Sequence, residues 1–289
     1  MSLSFQKYQG LGNDFLLLDN RQQPTLRLSP QEARHWCDRH FGVGADGVIF
    51  LLAGTGDCDY QMRMYNADGS VAEMCGNGIR CLAKFIFELE GRTCGETVSY
   101  RIDTLAGVMV PHIQADGQVT VDMGTPQLLA QQIPTTLTAP DAKVIEVPLT
   151  VADRPWLVTC VSMGNPHCVT FVEDVAAIPL ETLGPLFEHH AVFPQRTNTE
   201  FVQVLGGDRL RMRVWERGAG MTLACGTGAC ATVVAAVLTG RLKADAAGQA
   251  QATVELPGGD LHIRWDVHSQ HLYMTGPAVA VFRGTLDTQ

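Results

Sequence analysis

Two short stretches place a cysteine directly before Gly-x-Gly at the mouth of an apolar run: MCGNGIRC at 74–81 and ACGTGAC at 224–230. A free thiol titrates near ~8.5 and is a poor base at neutral pH. At a helix N-terminus it faces unpaired backbone N–H groups and the positive end of the helix dipole, and both favour the thiolate. The glycines leave those N–H groups open to an anionic group such as a carboxylate. Cys75 and Cys225 are each expected to be an activated thiol beside a carboxylate-binding nest. Two such thiols facing each other would take a proton from one side of a carbon and deliver one to the other side, inverting a stereocentre. One must be thiolate while its twin is thiol, and the helix ends would help hold charge that develops on the substrate. This chemistry needs neither a metal nor a cofactor.

The elements that must carry these thiols are legible as a repeat. QMRMYNADGSVAEMCGNG (61–78) aligns without a gap on RMRVWERGAGMTLACGTG (211–228), which sets Cys75 and Cys225 150 residues apart. GNDFLLLD (12–19) matches GNPHCVTF (164–171), LAG (105–107) matches LPG (256–258), and MGTP (123–126) echoes MTGP (274–277), all at nearly the same offset. The expected fold is α/β with two copies of one unit, packed about a pseudo-two-fold axis so that the two cysteines share a cleft. FLLLD, GVIFLL, VTVDM, CVTFV, EFVQVL, LRMRVW, LHIRW and AVAVF read as strands. Residues 78–90 and 228–240 read as the main helices, the second apolar on all sides and so buried all round. Strands flanking one buried helix imply a sheet wrapped around it. The Pro- and Thr-rich stretch 127–149 is expected to carry the crossing between halves. The MTGP echo implies that the last strand completes the first unit. The expected domains are therefore 1–125 with 272–289, carrying Cys75, and 126–271, carrying Cys225.

Bulk properties narrow the partners. The chain has 289 residues, 46% hydrophobic and 18% charged, with a net charge of −9 and no Lys/Arg run, which argues against nucleic acid or an anionic membrane. No stretch approaches a membrane span, and the N-terminus lacks the pattern of a signal peptide. Nine cysteines, an odd number spread along the chain, fit a reducing cytoplasm better than a disulfide framework. Cys75/Cys81 and Cys225/Cys230 are spaced by six and five, so neither pair shares a helix face, and no Cys-x-x-Cys occurs; no metal is expected. None of the four lysines (7, 84, 143, 243) sits in a phosphate-cradling context, as a pyridoxal-phosphate enzyme requires. A thiol redox or metal-binding protein remains the rival of a different class, and it predicts zinc in the purified protein or a dithiol/disulfide cycle.

GLGNDF (10–15), YNADGSVAEMCGNGIRC (65–81), SMGNPHCV (162–169), FPQRTNTEFVQV (193–204) and WERGAGMTLACGTGACA (215–231) resemble, in order and across nearly the whole chain, the motifs of the diaminopimelate epimerase family. That resemblance implies interconversion of LL- and meso-2,6-diaminopimelate without pyridoxal phosphate, on the route to lysine. It also implies two pseudo-symmetric domains, each a mostly antiparallel sheet around a central helix, with the site in the cleft between them, in a homodimer. Carried over motif by motif, Cys75 and Cys225 become the two bases, and Gly76-Asn77 and Gly226-Thr227 hold the reacting carboxylate. His167 and Glu216 position the reacting end, while Asn13, Asn66, Asn165, Asn198 and Arg217 bind substrate, largely at the distal end. A substrate with two zwitterionic ends needs such a set: Arg217 for a carboxylate, Glu216 for an ammonium, amides for orientation. Another cofactor-independent racemase acting on a small one-ended acid would need fewer anchors. Two positions depart from the family pattern. Gly47 stands where some members have a substrate-contacting Gln. Met221 stands where relatives commonly have Glu, which leaves the network beneath the second cysteine open.

Overall fold

The structure is a computed structural model and describes residues 2–23 and 25–287. It divides into two compact units: residues up to Asp122 together with those from Thr275 onward, and Met123–Met274. The stretch 127–149 lies inside the second of these.

In chain order the first unit supplies β1 (Ser2–Gly10), β2 (Asn13–Asp19), α1 (Pro30–Cys37), β3 (Gly47–Ala53), β4 (Tyr60–Asn66), β5 (Val71–Ala72) and α2 (Gly76–Leu89). It continues through β6 (Val98–Ser99), β7 (Ile102–Thr104), β8 (Gly107–Met109), β9 (His112–Ile113) and β10 (Val119–Asp122). The second unit supplies β11 (Val147–Val151), β12 (Arg154–Ser162), β13 (Pro166–Phe171), α3 (Leu180–Glu188), β14 (Asn198–Gly206) and β15 (Arg209–Glu216). It then adds β16 (Gly220–Thr222), α4 (Gly226–Leu238), β17 (Gln249–Leu256), β18 (Gly259–Asp266) and β19 (Leu272–Gly276), before β20 (Val279–Asp287) returns to the first unit.

The two units repeat one topology. The first has strand order β20-β1-β2-β3-β4-β7-β8, and the second β11-β12-β13-β14-β15-β17-β18-β19, with β5 and β16 as short hairpin partners of β4 and β15. Most joins are antiparallel. The parallel ones, β2 with β3 and β4 with β7, recur as β13 with β14 and β15 with β17. Each parallel join spans a helix, because parallel neighbours need a crossover where antiparallel ones need only a turn. The fold is a mixed α+β arrangement, mostly sheet with few helices, and each unit packs its sheet around one of the two Cys-led helices.

Burial on both sheet faces explains the sequence of the central strands. In β2 and β3, Leu16, Leu18, Val48 and Phe50 join the core that includes Ala33 and Cys37 of α1. Their neighbours Phe15, Leu17, Ile49 and Leu51 are equally buried and occupy the other face. In the second unit, Cys168 and Phe201 join Leu183 and Phe187 of α3 in one core. α4 packs against β12, β13, β14, β17 and β18, and it is buried from Gly228 through Ala236. Tyr8 of β1 donates to Glu88 of α2 at 2.6 Å, and buried Arg80 of α2 donates to the carbonyls of Gly76 and Pro277, both at 3.3 Å.

α1 and α3 lie outside the two helices expected from the sequence. α1 is only eight residues long; a capping box of Ser29 and Glu32 and a proline in its first turn set its start. α3 runs unbroken through Gly184-Pro185, a pair that breaks the helical pattern in the sequence. The glycine is there for packing: a Cβ at 184 would lie 2.4 Å from the Trp215 ring.

Candidate active site

Both cysteines occupy the same structural position. Cys75 is the N-cap of α2 and Cys225 the N-cap of α4, each with extended backbone, and each sulfur accepts the backbone N–H three residues on at 3.4 Å. The glycine at that third position sits tightly against a neighbouring side chain. A Cβ at Gly78 would lie 3.0 Å from Ile49, and one at Gly228 would lie 2.7 Å from a Glu200 oxygen.

Around Cys75 the polar contacts are amides. Its thiol donates to Asn13 Oδ1 at 3.7 Å, and Asn77 Nδ2 donates to the same oxygen at 3.1 Å. Asn13 Nδ2 is held in turn by Asp46 at 2.7 Å. Behind it stands a charged cluster that sequence reading missed: Asp14 pairs with Lys7 and Arg39, both at 2.7 Å, and Arg39 also reaches Asp46 at 2.8 Å. Asn66 is not part of this group; its side chain donates to Ser70 in the turn between β4 and β5 at 2.9 Å. Gly76 is the first residue of α2 and gives its carbonyl to Arg80. At Gly47 a Cβ would lie 2.6 Å from the Tyr65 carbonyl, so this backbone leaves a side chain no room.

The Asp14 cluster has a pH signature. Burial raises the Asp14 carboxyl, but Arg39 and Lys7 more than offset this and hold it below the ordinary aspartate value of 3.8. Its stabilisation is therefore present above the unfolded value and lost as pH falls through the folded one. Asp14→Asn is expected to lower stability at neutral pH by roughly 2 kcal/mol. Urea midpoints at roughly pH 7 and roughly pH 3 should show the gap from the parent narrowing at the lower pH, below the unfolded aspartate value, as pH falls toward the lowered folded one. An unchanged gap would mean that the carboxylate charge is not what stabilises.

Around Cys225 the contacts are ionisable. His167 on β13 is fully buried, with Nδ1 2.6 Å from Glu200 Oε1 and Nε2 3.0 Å from Asn165 Oδ1. Asn165 Nδ2 donates to Thr227 at 3.3 Å, and the Thr227 hydroxyl lies 3.5 Å from the Cys225 sulfur. Glu216, at the end of β15, accepts from Thr222 at 2.5 Å. Asn198 bonds to backbone, donating to the Pro166 carbonyl and accepting the Arg217 N–H, so it ties the ends of β13, β14 and β15 together. The exposed Arg217 side chain donates to the Gln195 carbonyl at 3.1 Å. Gly226 is the buried first residue of α4.

Two expectations need correction here. A helix N-terminus was expected to lower both thiols. At Cys225 burial, with Glu216 and Glu200 nearby, pushes the thiol up well above its ordinary value and outweighs the Thr227 and Gly228 donors. Met221 was expected to bear on the network beneath this cysteine. It is instead half exposed, with its sulfur 3.7 Å from Arg213, and Glu200, His167, Thr222 and Glu216 make the network.

Glu200 is the principal residue the sequence reading did not single out. It lies inside NTEFVQV, where one acid in an alternating strand reads as solvent-facing; its only signal is that every near neighbour is apolar or short. Metal-capable donors also converge where spacing did not point. Donor atoms of His167, Glu200 and Cys225 all lie within 4.8 Å of one another. Among the described residues no disulfide is present, and six of the nine cysteines are buried. No described helix is long and apolar enough to cross a membrane.

Known proteins share both the sequence and the architecture. A family model described as Diaminopimelate epimerase matches residues 5–129 and 159–281. The chain is 81% identical over 286 residues to the diaminopimelate epimerase of Thermosynechococcus vestitus, which spans 99% of this chain and all of that one. It is 65% identical over 287 residues to the diaminopimelate epimerase of Synechocystis, with the same coverage. Among solved structures, a Bacillus anthracis phenazine biosynthesis protein of the PhzF family superposes with TM-score 0.71 at 16% identity over the full length of both chains. A hydroxyproline epimerase from Agrobacterium vitis, with trans-4-hydroxy-L-proline bound, gives 0.69 at 13% identity, spanning 99% of this chain and 91% of that one. At those identities the two structures speak for the fold alone.

Proposed function

The chain belongs to the diaminopimelate epimerase family, and we propose from that premise that it inverts one α-carbon of LL-2,6-diaminopimelate to give the meso form, using Cys75 and Cys225 as the two bases. It is an isomerase of lysine and peptidoglycan precursor biosynthesis. One observation carries the mechanism: a cysteine caps the central helix of each unit and accepts the same i+3 backbone N–H at the same 3.4 Å.

The proton balance is simple. One cysteine, as thiolate, takes the α-hydrogen and becomes a thiol. The other, as thiol, protonates the opposite face of the carbanion and becomes a thiolate. The reverse reaction starts from that state, so the catalyst is regenerated by exchange of protons with solvent or by turnover in the other direction. The carbanion's charge spreads into the α-carboxylate, which the backbone N–H groups of Gly76-Asn77 and Gly226-Thr227 would receive at the helix starts. His167 and Glu216 hold the reacting amino-acid end, with the Glu216 carboxylate as the ammonium acceptor. Asn13, Asn66, Asn165, Asn198 and Arg217 anchor the substrate, and Arg217 meets the distal carboxylate. The raised Cys225 thiol suits the proton donor of the pair. On family grounds the enzyme works as a homodimer in the cytoplasm, and light scattering of the purified protein reads the dimer directly.

The test of the activity uses purified chain with LL-diaminopimelate, a chelator and no added pyridoxal phosphate. Formation of the meso isomer to equilibrium, followed by chiral chromatography, is the expected result. No conversion, or conversion only after adding a metal or pyridoxal phosphate, would overturn the proposal.

A further inference from the structure

The two thiols stand over different floors. By the repeat, Phe15 in the first unit occupies the position of His167 in the second, and Ile49 that of Glu200. The strand registers agree, since Leu17 pairs with Ile49 as Val169 pairs with Glu200. Both Ile49 and Glu200 are the side chains met by a Cβ added at the i+3 glycine of the Cys turn. Beneath Cys75 that position is apolar; beneath Cys225 it is a carboxyl.

Glu200 and His167 are both fully buried, and their Oε1 and Nδ1 atoms lie 2.6 Å apart. The other Glu200 oxygen, Oε2, has no hydrogen-bond partner among the described residues. A buried anion with an unpaired oxygen is costly. With Asn165 Nδ2 donating to Thr227, Asn165 Oδ1 faces His167 Nε2, so Nε2 carries a hydrogen. The short Nδ1–Oε1 line then holds one further proton, on one atom or the other. In either case the pair as a whole is neutral.

We propose that Glu200 is a positioning residue for this reaction: it shares one proton with His167, which fixes the imidazole with Nε2–H on Asn165 and keeps the floor beneath Cys225 uncharged while that cysteine passes between thiol and thiolate. The inference rests on reading Cys225 as one of the two bases. Burial raises the Glu200 carboxyl, in keeping with a retained proton, although His167 pulls the other way. The groups facing it are His167 and Cys168 of β13, Glu216 of β15 and Cys225 at the start of α4. At alkaline pH the pair gives up its proton, leaving a fixed anion behind Cys225 that opposes thiolate formation there and steepens the basic limb that ionisation of the donor thiol already gives the two-base reaction. Glutamine at 200 is the shape of a permanently protonated carboxyl: its amide can donate to Nδ1, and it cannot become an anion.

The experiment compares parent, Glu200→Gln and Glu200→Leu in the full chain, reading kcat and KM against pH in both directions. Glu200→Gln is expected to keep kcat within about threefold near neutrality and to show a shallower basic limb than the parent, the part left by ionisation of the donor thiol. Glu200→Leu, which leaves His167 unheld, is expected to lose about 10²-fold in kcat. A second readout does not depend on epimerisation: alkylation of Cys225 by iodoacetamide, followed by peptide mass spectrometry across pH. Above the pH at which the parent pair gives up its proton, Cys225 should alkylate up to roughly tenfold faster in Glu200→Gln than in the parent. The proposal is overturned if Glu200→Gln slows uniformly with a basic limb as steep as the parent's, if Glu200→Leu matches the parent, or if Cys225 alkylation is the same in parent and Glu200→Gln at every pH. A parent that alkylates normally but never epimerises would instead sink the assigned activity.

Discussion

Cys75→Ala and Cys225→Ala are each expected to reduce epimerisation by about four orders of magnitude while leaving the fold intact. The size follows from the geometry of two-base inversion. In the proposed reaction each sulfur would serve one face of the carbon, so neither substitution could be covered by the remaining thiol. Both side chains are small, and both helix starts keep their backbone, so the cost to stability is minor beside the cost to rate. Thr227, Asn165 and His167 surround Cys225, but none is placed to replace its sulfur without losing its own partner. The measurement is kcat for LL-to-meso conversion beside a thermal melt. Full activity in either variant would remove the two-base mechanism. Loss of activity with a collapsed melt would show a packing role for the cysteine instead.

The largest expected loss of stability is elsewhere on the strand that bears Glu200. Phe201 is fully buried and meets Trp156 and Phe187 edge-on, with ring centroids 5.6 and 5.5 Å away. These three rings are the centre of the core between the second unit's sheet and α3. Phe201→Ala should cost about 4 kcal/mol, the transfer of a large aromatic plus the cavity left behind. The urea midpoint of the full chain reads this. Glu200→Gln, one residue away, should barely move the midpoint, because its side chain points to the opposite face and keeps its shape. A small loss for Phe201→Ala would mean that the ring cluster relaxes to fill the space.

That contrast also explains what could and could not be read from the sequence. The Cys-Gly-x-Gly turns were legible because capping is local: the cap residue, the small residues after it and the apolar run lie within one short stretch. The central helices and eight of the longer strands were legible for the same reason. Asn66 illustrates the limit in one direction, since its place in a motif did not show that its side chain also donates to Ser70. Glu200 illustrates it in the other. Its burial exists only because α4 covers one face of β14 and α3 the other, and no local pattern announces a strand covered twice. The same reason hid the raised state of Cys225: the helix start is local, whereas the two acids beside it come from β14 and β15. Asp14, Lys7, Arg39 and Asp46 form their cluster from β1, β2 and the loop between α1 and β3, so their link to Asn13 was also invisible in the chain order.

The central claim is that two sulfurs of opposite protonation act on one carbon from opposite faces. Its most direct test is conversion of LL-diaminopimelate in deuterated water, stopped early, with isotope content measured in both the product and the recovered substrate. The account predicts meso product carrying one solvent deuterium at the inverted α-carbon, and recovered LL substrate with essentially none. Product that keeps the substrate's own α-hydrogen would contradict it, because a single base would then have returned the same proton.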